Sequence, residues 1–104
     1  MTEEKALGLL GLAHRAGAIA SGAMQVEKAL LSGRCKLLLV AVDTAAETKK
    51  QLAAVTLRSG VPSLNALTKL QMGTAVGKSP KAALAVTDQG FAGAIRRMLC
   101  KDDG

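Results

Sequence analysis

Apolar positions recur along this chain in two alternating rhythms: a spacing of three and four residues that predicts amphipathic helices, and short unbroken runs that predict covered strands. Ala6, Leu9, Leu10, Ala13 and Ala16 follow the helical spacing until Gly17, with Thr2 placed to cap the segment and Glu3 and Glu4 in its positive first turn. Ala18 to Ser21 leaves room for a very short strand. Gly22 then opens a second helix whose Val26, Ala29 and Leu30 face inward until Gly33, while Met24, Lys28 and Leu31 share a different face. Lys36 to Val42 reads as a central strand covered on both sides.

Thr44-Ala45-Ala46-Glu47 has the spacing of a capping box and starts a helix with Leu52, Val55 and Ser59 inward, ending at Gly60. Val61 to Leu64 allows a short strand that Pro62 pushes to an edge. Thr68-Lys69-Leu70-Gln71 is a second capping box, opening a short helix that stops near Gly77. Ala82 to Thr87 is another buried strand, and Asp88 caps a last helix with Phe91, Ala92, Ile95 and Leu99 inward and Arg96 and Arg97 outward. Lys101 lies beyond its last packed turn. The order α-β-α-β-α-β-α-β-α predicts an α/β fold, a three-layer α/β/α sandwich with a small mixed four-stranded sheet, built as one domain over residues 1–104.

Composition narrows the function. Phe91 is the one aromatic residue, so the chain cannot build the aromatic platform on which single-strand readers stack bases. Fourteen basic residues against eight acidic ones, a net charge of +6, favour a polyanionic partner. Cys35 and Cys100 lie far apart, with no Cys-x-x-Cys and no second histidine, and read as reduced packing residues. The acidic start Met1 to Lys5 does not read as a secretory leader, and the longest apolar run, Leu37 to Val42, is too short to span a bilayer. No membrane partner and a cytoplasmic location are therefore expected.

Ligands in such sheets meet the loops at the carboxyl ends of strands. Ser21–Gln25, Asp43–Glu47 and Thr87–Gly90 qualify, and Gly73–Lys81 is a fourth candidate because Lys78 and Lys81 flank a turn stiffened by Pro80. Asp43, Thr44 and Asp88 serve equally well as helix caps, and each lysine alone as a solvated charge. Gly77-Lys78-Ser79 echoes the end of a phosphate-binding loop, but Met72 stands where its first glycine is needed. His14, beside Arg15, has no nucleophile or metal-spaced partner and reads as a surface helix residue. With no triad, carboxylate pair or metal cage, an enzyme is not expected. Gly22 to Lys28 is the sharpest candidate, since a helix N-terminus offers unpaired N–H groups and Lys28 adds charge one turn inside.

Together these residues resemble the kink-turn-binding ribosomal protein family and, within it, the small bacterial YlxQ-type proteins. The likeness is carried by Leu10 to Gly17, Ser21-Gly22 with Lys28, Asp43 to Lys50, Val61-Pro62, Met72-Gly73 with Gly77-Lys78, and Thr87 to Ala92. It implies the three-layer fold and RNA binding by the loop and helix opened at Gly22, with the loops at Asp43 and Gly77 alongside. The family pattern for kink-turn recognition is Gly-x-Asn-Glu-x-x-Lys, where Asn and Glu contact tandem G·A pairs. Gly22 and Lys28 match it, but Met24 and Gln25 stand at the Asn and Glu positions. A thioether cannot both donate and accept as an amide does, and glutamine lacks the carboxylate's acceptor pair. The expected function is non-enzymatic, ribosome-associated docking of a structured, kink-turn-like or internally looped RNA by a monomer that needs no cofactor. Its expected RNA-binding residues are Gly22, Ala23, Met24, Gln25, Lys28, Asp43, Thr44, Gly77, Lys78 and Lys81. The alternative is a protein-interaction module of the same fold whose RNA surface has decayed.

Overall fold

The structure, a computed structural model, describes residues 2–100. Lys101 and the Thr2 side chain expected to cap the first helix lie outside the described residues. The elements follow the expected order: α1 (Thr2–Arg15), β1 (Ile19–Ser21), α2 (Ala23–Leu31), β2 (Leu37–Val40), α3 (Ala46–Ser59), β3 (Ser63–Asn65), α4 (Lys69–Ala75), β4 (Ala83–Val86) and α5 (Gln89–Leu99). The four strands lie in the order β1-β4-β2-β3. β4 is antiparallel to both of its neighbours, and β3 pairs parallel with β2 at the edge, where Pro62 precedes it without interrupting a central ladder.

The unbroken apolar run of β2 is explained by its two covered faces, because successive side chains of a strand point to opposite sides. Leu37 and Leu39 enter a core with Leu10, Leu84, Met72 and Ile95, under α1, α4 and α5. Leu38 and Val40 enter a second core with Val26, Ala29 and Leu30, where α2 packs beside α3. Burying each leucine contributes roughly 1.5–3 kcal/mol relative to leaving it exposed. The result is a helix layer on each side of a mixed sheet. β2 and β4 are each shorter than the apolar runs suggest, yet the backbone bonding continues past them, Lys36 N–H donating to Val86 O at 2.7 Å and Ala41 N–H to Ala82 O at 2.8 Å.

Two local expectations are corrected. Ala16, expected inward, is exposed, because α1 ends at Arg15 and the left-handed Gly17 (φ 77°) turns the chain toward β1. The capping box at Thr44 does not form: Ala45 occupies the cap position of α3 with no side-chain hydrogen bond, and the buried Thr44 hydroxyl donates instead to Ala82 O at 3.2 Å. The box at Thr68 forms in full, its hydroxyl accepting from Gln71 N–H while Gln71 Oε1 accepts from Thr68 N–H. Asp88 caps α5 as expected, accepting from Phe91 N–H at 2.9 Å.

Candidate nucleic-acid interface

Strand direction decides which loops can meet. β1, β2 and β3 run the same way, so Ser21, Val40 and Asn65 end together, beside the start of β4 at Ala83. Ser21–Gln25, Asp43–Glu47 and the end of Gly73–Lys81 therefore gather at one end of the sheet. Thr87–Gly90, the remaining candidate loop, leaves from the other end, because β4 is antiparallel to its neighbours and Val86 pairs with Ile19 and Leu37. That loop does not join the cluster, and Asp88 acts there as a helix cap.

At the cluster's centre, Gly22 precedes α2 with φ 93° and ψ 146°, close to a region that is essentially reserved for glycine and costs other residues about 1–3 kcal/mol. A Cβ at Gly22 would meet nothing within 4 Å, so the backbone angle and not crowding demands the glycine. No side chain caps α2, and its first turn carries no acidic residue. The positive end of the helix dipole thus faces outward uncompensated, beside an open glycine. Ala23 is the first residue of α2; Met24 is 74% exposed, and Gln25 and Lys28 are exposed as well.

The flanking loops are pinned by hydrogen bonds to the backbone. Asp43, exposed, accepts from Lys69 N–H through Oδ1 at 2.9 Å and so caps α4, not α3. Thr44 ties the same loop to Ala82, as described. Beside them Val42 N–H donates to the carbonyl of Leu67, a buried residue held in the left-handed region at φ 67°. Lys78 N–H donates to Gly73 O and Lys81 N–H to Lys69 O, fixing both ends of the 78–81 turn onto α4. Gly77 (φ 70°) and Lys78 are exposed, and Lys81 is half-buried.

Two depressions flank the start of α2. A mainly apolar cleft of about 220 Å3 lies between Gly22, Val26, Leu52, Pro80 and Lys81. A larger polar groove on the other side contains Gln25 and Lys78 together with His14 and Arg34. Three further residues contribute beyond the expected site residues. Gly73 supports the 78–81 turn, Arg34 lies past the end of α2, and Lys49 donates through Nζ to Val42 O at 3.0 Å next to Asp43. Gly73 opens the candidate loop Gly73–Lys81 and Lys49 lies in the Asp43–Lys50 segment, so only Arg34 carries no signal in the sequence.

Cys35 is buried away from this end and donates to Leu37 O; burial pushes its thiol pKa up, which suits a packing role. Among the described residues, no group of three or more His, Cys, Asp or Glu side chains is placed to hold a metal ion, and no helix is long and apolar enough to cross a membrane.

Residues 4–95 match the family described as ribosomal protein L7Ae/L30e/S12e/Gadd45. The chain is 35% identical over 91 residues to the RNA-binding protein YlxQ of Bacillus subtilis (strain 168), covering 88% of this chain and 91% of that relative. It is 31% identical over 106 residues to the large ribosomal subunit protein eL30 of Branchiostoma belcheri, covering 99% of this chain and 92% of the relative. A solved structure of a protein with unknown function from Bacillus halodurans C superposes with a TM-score of 0.87 at 32% identity, over 91% of this chain and 96% of the other.

Proposed function

The chain belongs to the ribosomal protein L7Ae/L30e/S12e/Gadd45 family, and we propose that it is a non-enzymatic, ribosome-associated RNA-binding protein that docks a structured RNA at the start of α2. The observation that carries this reading is the convergence of an uncapped α2 N-terminus, an open Gly22, and Lys78 and Lys81 at one end of the sheet, with Lys28 exposed further along α2 in its last turn. Phosphate is favoured there by the helix dipole and by the lysines together. Gly22 lets backbone approach closely, and Gln25 offers both an acceptor and donors to a base edge. Similarity to a relative named as RNA-binding and to a ribosomal subunit protein supports both halves of the proposal. The protein acts as a single cytoplasmic RNA-binding domain over residues 1–104, as a monomer and without a cofactor.

Met24 and Leu31, 74% and 64% exposed on one face of α2, favour the second reading, a protein contact on a scaffold of the same fold. Lysine substitutions separate the two. Lys28→Ala and Lys78→Ala should each weaken binding to a hairpin RNA with an internal loop, and reduce the slope of log K against log salt by about 0.9 per duplex phosphate lost. Stability should change by under about 0.5 kcal/mol, since both side chains are exposed. Lys36→Ala is the control, its exposed side chain lying at the other end of the sheet. Equal losses from all three would reduce the site to net charge, and affinity indifferent to salt would support the protein contact.

A further inference from the structure

We propose that the groove along the open edge of β1 is a second phosphate-binding track, carrying the RNA strand that flanks the element docked at α2. The proposal rests on the RNA-binding reading above and extends it to Arg34 and to His14, which reads as a surface helix residue in the sequence. β1 is the terminal strand of the sheet, paired on one side with β4. Beside its outer edge lies a groove of about 380 Å3 into which His14, Gln25, Arg34 and Lys78 converge from four separate places in the chain. Among the described residues, no carboxylate lines it.

Its chemistry fits a sugar-phosphate backbone better than bases. The lining contains no aromatic side chain other than the His14 imidazole, so bases have little to stack on, whereas Arg34, Lys78 and that imidazole supply donors. Arg34 donates from Nε to Ser32 Oγ at 3.1 Å, which orients the guanidinium while its terminal nitrogens face no carboxylate of the groove. That fork suits bidentate contact with a phosphate. The groove also has a direction. Gln25 and Lys78 stand at the α2 end, where the docked RNA lies, and Gly17 and Thr87 mark the other end of β1. Three residues of strand span roughly 10 Å, room for a short stretch of backbone rather than a second folded element.

The test uses a hairpin RNA with tandem G·A pairs in an internal loop, prepared with and without a short uridine strand beyond the loop. Arg34→Ala should weaken binding of the extended RNA roughly two- to five-fold, the range for an exposed ion pair. It should lower the salt slope by about 0.7, the value for one single-strand phosphate, and leave the unextended RNA unaffected. His14→Ala should give the same pattern more weakly, and Lys28→Ala should weaken both RNAs. A thermal melt of each variant verifies folding. The track is overturned if Arg34→Ala and His14→Ala change neither RNA, or both RNAs equally, while Lys28→Ala still weakens binding. If Arg34→Ala weakens the extended RNA and Lys28→Ala weakens neither, the groove stands and docking at α2 falls.

Discussion

Replacing Met24 by asparagine together with Gln25 by glutamate should make the protein prefer an RNA with tandem sheared G·A pairs over the same RNA with those pairs made Watson–Crick. Both positions are exposed in the first turn of α2, so neither change disturbs the core. The new asparagine would supply an amide that donates and accepts, and the new glutamate a carboxylate with two acceptor oxygens, on a scaffold that already holds Gly22 and Lys28. Each good base contact is worth about 1–3 kcal/mol of discrimination, so the pair together should shift the preference by on the order of 2–6 kcal/mol. Stability should not fall, since the new carboxylate faces an uncompensated positive helix end and gains about 0.3–1 kcal/mol there. Titrating both proteins against both RNAs at fixed salt measures the effect. Strong G·A preference in the unmodified protein would show that Met24 and Gln25 suffice, and no gain in the double variant would place the difference elsewhere in the site.

Gly73→Ala should damage both the fold and the interface. Gly73 is buried in α4 under the 78–81 turn, and a Cβ there would overlap the Ser79 carbonyl and come within 2.8 Å of Pro80 Cα. Those atoms are backbone and cannot swing aside as a side chain can. Overpacking of this kind costs about 1–3 kcal/mol. The turn it displaces carries Lys78 and Lys81, and Lys78 N–H is bonded to the Gly73 carbonyl itself. Chemical denaturation should therefore show a lowered midpoint, and RNA affinity should fall even under conditions where the variant remains folded. Gly8→Ala, at an exposed position with no atom within 4 Å of the added Cβ, should do neither.

Periodicity made the element order legible because each helix has one apolar stripe and each central strand is covered twice, as at Leu37 to Val40. Local polar chemistry was legible only where it stayed local. Thr44 and Thr68 begin the same four-residue pattern, yet only Thr68 forms the box, because the Thr44 hydroxyl is claimed by the carbonyl of Ala82, a residue distant in sequence. The same limit applies to Thr87–Gly90. An apolar run reveals a strand but not its direction, and the antiparallel setting of β4 sends that loop to the far end of the sheet. Gly22 stood out because a positive φ before a helix selects glycine, a demand that one residue expresses by itself. The meeting of His14, Gln25, Arg34 and Lys78 left no mark in the sequence, since four separate segments must fold before they share a groove.

Docking of RNA at the end of the sheet where α2 begins underlies each of these expectations, and a backbone-amide NMR titration of the intact chain with an internally looped hairpin RNA checks it without any substitution. With a hairpin that carries no flanking strand, the largest shift changes should fall on Gly22 to Lys28 and Gly77 to Lys81, with little change at Lys36 to Leu37 or Gln89 to Arg96. Changes centred on those latter segments, at the opposite end of the sheet, would overturn it.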